Sequence, residues 1–401
     1  NAFFAIIGTW ASVSSVWAEP TFTAHNVTTA ADGAKSVHAV DLDGDGDVDL
    51  LSASKDDDTI RWYANNGSGV FTTHTISTTA DSAHDVFAID LDGDDDMDVI
   101  SASYSSGMSW YRNDGSENFT AFEIYVESGG VNTNGGRSVH AGDVDGDGDV
   151  DVVSAVYNEY VYWHENDGNE AFTTHKHLGD GNGDNGYIGA NGPDAVVLAD
   201  LDSDGDLDVL SSNFFDNISQ WAENKGSGAP IADRFTVHNL TDKSGFGDTY
   251  LHVVDLNGDG HNDVLAVHRQ ADEVVWLKND GSESFTSHVI STSANGPSDV
   301  HAVDLDGDGD IDVLSSSTDD DKIAWYENDG SENFTAHVIT TAADGASSVF
   351  AADIDGDGFM DVVSASANDD KITWYENDTT ANAAPVITSN GGAATASVNA
   401  P

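Results

Sequence analysis

Hydrophobic positions fall in short runs rich in Val, Ile, Trp and Phe, and clusters of Gly, Asn and Asp separate one run from the next. Runs of this kind predict β-strands, and nowhere does the apolar spacing sustain a helical period. The runs recur as a larger unit. Each unit has a Phe-Thr-x-His-x-Ile strand, a variable loop, Ser-Val-His-Ala-Val, an Asp-rich loop, Val-Asp-Val-Leu-Ser-Ala-Ser, and Ile-x-Trp-Tyr-x-Asn-Asp-Gly. The Asp-rich loops begin at Asp41, Asp90, Asp143, Asp200, Asp255, Asp304 and Asp353. That makes seven units spaced by about 50 residues, the scale on which four-stranded propeller blades repeat. Asn-Asp-Gly-Ser at Asn113–Ser116, Asn279–Ser282 and Asn328–Ser331 supplies hairpin turns, since these residues tolerate positive φ. Four antiparallel strands with two apolar faces cannot stand alone, so the units must stack face to face around an axis.

The ends of the array predict how the ring closes. The chain enters with an outer-type strand, Thr21 to Val27, and leaves after a third-type strand, Lys371 to Asn377, with no outer strand following. The first strand is therefore expected to complete the last blade and remove two free sheet edges together. The expected fold is all-β, a seven-bladed β-propeller over residues 20–378.

Composition changes the picture in one respect. The 401 residues carry 72 Asp+Glu against 13 Lys+Arg, a formal charge of −59. Acid-rich chains are often disordered, yet 39% hydrophobic residues with nine Trp and 16 Phe are enough to build a core. Bare carboxylates in that number would repel one another, so bound cations are the natural counterweight. A nucleic-acid partner is excluded for want of a basic surface. The absence of Cys removes disulfides and thiolate metal sites.

Asp41-Leu-Asp43-Gly-Asp45-Gly-Asp47-Val-Asp49 sets carboxylates at positions 1, 3, 5 and 9 of a tight loop, with Gly at 4 and 6 allowing the backbone to curl. The corresponding residues are Asp90, Asp92, Asp94 and Asp98; Asp143, Asp145, Asp147 and Asp151; Asp200, Asp202, Asp204 and Asp208. The last three sets are Asp255, Asn257, Asp259 and Asp263; Asp304, Asp306, Asp308 and Asp312; Asp353, Asp355, Asp357 and Asp361. Position 7 varies among Asp47, Asp96, Asp149, Asp206, His261, Asp310 and Phe359, as expected if only its backbone oxygen coordinates. Oxygen-only ligands select a hard ion, calcium before magnesium, and about seven calcium ions are expected. An EF-hand would need Glu at position 12 between helices; here position 12 is Ser or Ala and the flanks are strands, so that reading fails. A single Asp-Gly run is often a plain solvated turn, but seven in register are not. Asp95 in place of Gly at position 6 of the second loop and Asn257 at position 3 of the fifth mark the weakest sites.

Asp-x-Asp-x-Asp-Gly-x-x-Asp loops inside a sevenfold Phe- and Trp-bearing repeat resemble the FG-GAP/VCBS family, over about residues 20–378. The resemblance implies that the acidic loops join first and second strands on one face of the disc. It implies ligands on the opposite face or in the clefts between blades. The family includes adhesion propellers, lectins and a few polysaccharide lyases, so fold alone does not settle function.

Residues that repeat in every blade read as packing: Trp62, Trp110, Trp163, Trp221, Trp276, Trp325 and Trp374, and the outer-strand His25, His74, His175, His238, His288 and His337 with Phe122 in the remaining blade. His38, His140, His252 and His301, three residues before their acidic loops, alternate with Phe87, Val197 and Phe350 and read as packing too. Departures from the repeat point to function. Enlarged loops at 127–137, 179–193 and 242–250 are expected on the face opposite the acidic loops, with Arg137, Tyr187, Asn191 and Tyr250 as candidate ligand-binding residues. Asp180 to Gly186 imitates a further metal half-loop.

Residues 1–18, an apolar run followed by a small-x-Ala site, read as a secretory signal peptide, or else as a retained apolar segment. The run is too short to be read as a membrane span. Residues 379–401 resemble the start of a following cadherin-like or Ig-like domain, or else form a tail. The sequence thus predicts a secreted or cell-surface calcium-binding module that recognises a glycan or protein ligand within a longer protein, with no catalytic residue assigned. A polysaccharide lyase or hydrolase on the same fold and a structural spacer are the alternatives.

Overall fold

The computed structural model describes residues 19–125, 135–157, 159–176, 178–179, 188, 192–213, 218–230, 233–240 and 248–378. The readings of residues 1–18 and 379–401, the half-loop at 180–186, and Tyr187 and Asn191 lie outside them. Among the described residues there are twenty-eight strands in seven four-stranded antiparallel sheets. None of them forms a helix long and apolar enough to cross a membrane.

The first complete blade shows the plan. Its innermost strand β2 (Ala34–Val40) leads through the first acidic loop into β3 (Asp49–Ser54), then β4 (Thr59–Asn65) and the outer β5 (Phe71–Ser77). β3 is buried at all six positions, because both of its faces meet neighbouring sheets. β5 is exposed at Thr72, Thr73 and Thr75 and buried only at Ser77. Continuous burial inside and partial exposure outside follow from that radial position.

The last blade is built from both ends of the array. β1 (Phe22–Thr28) pairs antiparallel with β28 (Lys371–Asn377), followed inward by β27 (Asp361–Ser366) and β26 (Ala346–Ala352). The ring closes as the chain ends predict.

The hydrophobic core is not central; it is divided into seven slabs, one in each crevice between blades. In one crevice Leu51, Ile60 and Trp62 of the first blade pack on Val86, Val99 and Tyr111 of the second. Each repeat Trp is buried, none more than 4% exposed, and contributes about 5 kcal/mol of apolar burial. Each also stacks on its outer-strand partner: His74 on Trp62 at 4.5 Å, Phe122 on Trp110 at 4.9 Å, His337 on Trp325 at 4.5 Å. His38, His140 and His301 pack in tilted or edge-on contact with Phe87 and Phe350, at 4.4–5.0 Å between ring centroids, and His252 packs on His301 at 4.7 Å. Burial, first of all, pushes His38, His140 and His252 down to about 4, so they are neutral packing groups near pH 7.

Candidate metal centres

All seven acidic loops lie at the same end of the blades, between the innermost strand and its neighbour, and share one hydrogen-bond scheme. The position-1 carboxylate accepts from the backbone N–H at position 6, for example Gly46 to Asp41 at 3.0 Å and Gly260 to Asp255 at 2.8 Å. The position-7 N–H donates to position 5, as Asp47 does to Asp45 and Phe359 to Asp357, both at 2.9 Å. Position 6 needs a positive φ, about which glycine is indifferent. Gly46 takes 96°, while Asp95 in the second loop takes 71° and still donates to Asp90 at 2.9 Å. That departure therefore leaves the loop's hydrogen bonding intact. A third departure, which the sequence reading passed over, is Ser203 at position 4 of the fourth loop, held at φ 65°. Asn257 donates to Asp259 through Nδ2 at 3.0 Å and accepts the Asp259 N–H on Oδ1, also at 3.0 Å.

This scheme gathers carboxylates instead of dispersing them. Oxygens of Asp41, Asp43 and Asp45 lie within 4.8 Å of one another, as do those of Asp90, Asp92 and Asp98 and those of Asp143, Asp145 and Asp147. Burial, as the largest cause, raises the carboxyls of Asp43, Asp92, Asp145, Asp202 and Asp355, and takes Asp306 up to about 6. Two buried oxygens, Asp92 Oδ1 and Asp353 Oδ1, have no hydrogen-bond partner. An orphaned buried carboxylate oxygen beside two more carboxylates fits a hard cation. In six of the seven loops the position-7 side chain leans over the hairpin glycine of its own blade, as Asp47 does over Gly67 and His261 over Gly281, where a Cβ would collide. That leaves the backbone oxygen as the position-7 group suited to a cation.

Position 9 has a second task that the spacing does not reveal. Asp49 is fully buried and accepts from Leu42 N–H at 3.1 Å and from Asn65 N–H at 2.7 Å. Both contacts recur in every loop, down to Asp361 with Ile354 and Asn377. Each oxygen keeps a second lone pair for a cation.

The hairpin Asn completes the arrangement. Its Nδ2 donates to the position-8 carbonyl of its own loop and, in six blades, to the position-2 carbonyl of the preceding blade's loop. Asn224 donates to Leu207 O at 3.0 Å and to Val144 O at 2.7 Å; Asn65 closes the ring onto Ile354 O at 2.7 Å. Replacing Asn224 by Ala removes three hydrogen bonds, the two it donates to Val144 O and Leu207 O and the one its Oδ1 accepts from Gly226 N–H. It is expected to cost about 2–4 kcal/mol in denaturant unfolding, while Asn169→Ala on the exposed hairpin tip stays within about 0.5 kcal/mol. Equal effects would remove the clasp role.

At the opposite end of the blades the structure brings Arg137 and Tyr250 together in the lining of one cavity of about 230 Å³. Arg234, by contrast, lies at the metal-loop end, 3.9 Å from Asp145 and over the Trp163 ring.

Among solved structures, an Agrocybe aegerita lectin described by its recognition of non-reducing terminal N-acetylglucosamine is similar to 86% of each chain, at 19% identity and a TM-score of 0.54. BBS1N in complex with ARL6DN is similar over 92% of this chain and 99% of that one, at 13% identity and a TM-score of 0.57. These likenesses concern the fold alone. Curated proteins yield no match. The FG-GAP-like repeat profile matches residues 41–101, 90–154, 143–211, 255–315 and 304–364. These spans pair each acidic loop with the next over most of the ring, and the chain belongs to the FG-GAP-like repeat family.

Proposed function

We propose that this chain is a calcium-loaded recognition module of an extracellular or cell-surface protein, presenting glycan or protein ligands with a platform stapled by about seven ions. The observation that carries it is the sevenfold acidic loop, with orphaned carboxylate oxygens in two copies. Asp41, Asp43 and Asp45 and their equivalents would hold the ion. Bound there, it would neutralise crowded carboxylates and fix each inner hairpin; no chemistry beyond charge and geometry is asked of it. Extracellular modules bind calcium with dissociation constants of about 10⁻⁴–10⁻³ M, which suits an environment rich in the ion. The fold likeness to a lectin and to a propeller with a protein partner supports ligand binding as the use of the platform.

A glycan array probed with calcium-loaded chain and again in EDTA tests the reading. Binding present with metal and lost without it is the expected result. Ligands captured equally well by chelated protein would sink it.

A further inference from the structure

The innermost strands repeat closely at their fourth residue, which is Val or Leu in every blade. Their second residue does not repeat: Lys35, His84, Arg137, Asp194, Thr249, Ser298 and Ser347. The register explains why this position is free to vary. Every innermost strand shifts register there, between Ala34 and Ser36 in the first blade, Gly136 and Ser138 in the third, and Pro297 and Asp299 in the sixth. A bulge takes its residue out of the strict inward–outward alternation and re-aims the side chain, here to the rim of the channel. The position just after the second strand varies in the same way, with Lys55, Tyr104, Tyr157 and Arg269 in four of the blades.

These two rings of positions gather the scarcest residues in the chain. Lys35, Lys55, Arg137 and Arg269 line the same 230 Å³ cavity, with Asp194 as its one lining carboxylate among the described residues. Acids outnumber bases 72 to 13 overall, so four cations and one carboxylate in the lining of one small cavity invert the chain's usual ratio there, although Lys55 pairs with Asp56, Arg137 with Asp194 and Arg269 with Asp319 just beside it. The cations are held in place. Arg137 lies over Tyr157 at 4.4 Å and Tyr104 at 5.4 Å, with Asp194 at 3.6 Å; Arg269 is 3.5 Å from Asp319. His84 has its Nδ1 2.9 Å from Ser82 O, so Nδ1–H donates and Nε2 is left as an acceptor. Burial first, then Lys55, Arg137 and Arg269, lower the Lys35 ammonium, the mark of cations pressed together. A second cavity of about 600 Å³ shares Arg137, Asp194 and Arg269 with the first and is lined further by Tyr157, Asp272 and Asp319.

We propose that this mouth of the channel binds one anionic group, the carboxylate or sulfate of a single acidic sugar, within the shell of Lys35, Lys55, Arg137 and Arg269. The assignment rests on the recognition reading above and gives it a ligand class. Two arginine forks and two ammonium groups match the planar or tetrahedral oxygens of such a group, and the tyrosine faces beside Arg137 offer a wall for the ring. One charge fits better than a polyanion. Local cations act within a Debye length of about 8 Å, and beyond it a long acidic chain meets a strongly negative surface.

The test is calorimetric titration of the calcium-loaded full chain with D-galacturonate, D-galactose 6-sulfate and D-galactose at physiological salt. Saturable binding of at least one acidic sugar, with galactose weaker by tenfold or more, is expected; which acid binds tells carboxylate from sulfate. Arg269→Gln, a half-exposed residue whose loss spares the fold, and the double Lys35→Gln/Arg269→Gln should each weaken that binding at least tenfold. Lys225→Gln/Lys278→Gln, which removes equal charge near the metal-loop end, should leave it unchanged. Absence of saturable binding by both acids, equal binding of galactose, or equal weakening by the control double overturns the assignment. Calcium-dependent capture of neutral glycans alongside such a failure would defeat the anion assignment alone and leave the recognition reading standing.

Discussion

Excess EDTA is expected to lower the melting temperature by on the order of 10–20 °C, and restoring millimolar calcium to recover it. At a dissociation constant of about 10⁻⁴ M and about 1 mM free ion, each site contributes roughly 1.4 kcal/mol by mass action. Seven such sites together reach about 10 kcal/mol, as much as the whole stability of an ordinary domain. The structure adds a pH signature. Burial raises the metal-free carboxyls of Asp49 and Asp361 to about 6, of Asp98, Asp151 and Asp312 to about 7, and of Asp208 to about 8. A carboxyl whose folded pKa lies above its unfolded value takes up a proton on folding, so metal-free stability falls as pH rises from about 4 to about 8. Calcium must displace those protons, so its stabilisation grows over the same window. Scans with and without calcium at pH 5.5 and pH 8 should therefore diverge most at pH 8. Coincident melting curves at both values would mean that the loops hold no structural ion.

The architecture was legible because sevenfold repetition turns a weak strand signal into a strong one, and because an orphan outer strand at one end matched a missing one at the other. The packing roles of Trp62 and His74 were legible for the same reason, since what occurs in every blade serves the crevices between blades. The Asn clasp was not. In sequence Asn65-Asn-Gly or Asn113-Asp-Gly is turn chemistry, and nothing local shows that Nδ2 crosses to the neighbouring blade's loop. The channel mouth was half legible. Enlarged loops drew attention to Arg137 and Tyr250, whereas Lys35, Lys55 and His84 sit in blades with short loops and escaped notice. The usable signal was there: a strand that repeats at its fourth residue and varies at its second. A bulge that breaks the two-residue alternation hid which way those side chains face.

Deleting residues 1–28 is expected to cost at least about 5 kcal/mol and to replace one cooperative melting transition by a broad, lower one. β1 pairs with β28 from Phe22 opposite Asn377 to Thr28 opposite Ile372. Its His25 stacks on Trp374 at 4.7 Å and bonds Glu376 at 2.8 Å. Phe22 packs into the slab on one side of the last blade and Val27 into the slab on the other, about 2 kcal/mol each when lost, before Trp374 is uncovered. Without β1 the exposed edge of β28 offers unpaired backbone groups to any other strand, so the truncated chain should also self-associate. A synthetic peptide spanning residues 19–31, added in trans, should restore both the transition and the monomer. A truncated chain that melts within about 2 °C of the full one would show that the ring does not depend on this strand. The seven crevices would then have to hold each other without a closed circle, and sevenfold stacking alone, with its Asn clasps, would account for the stability.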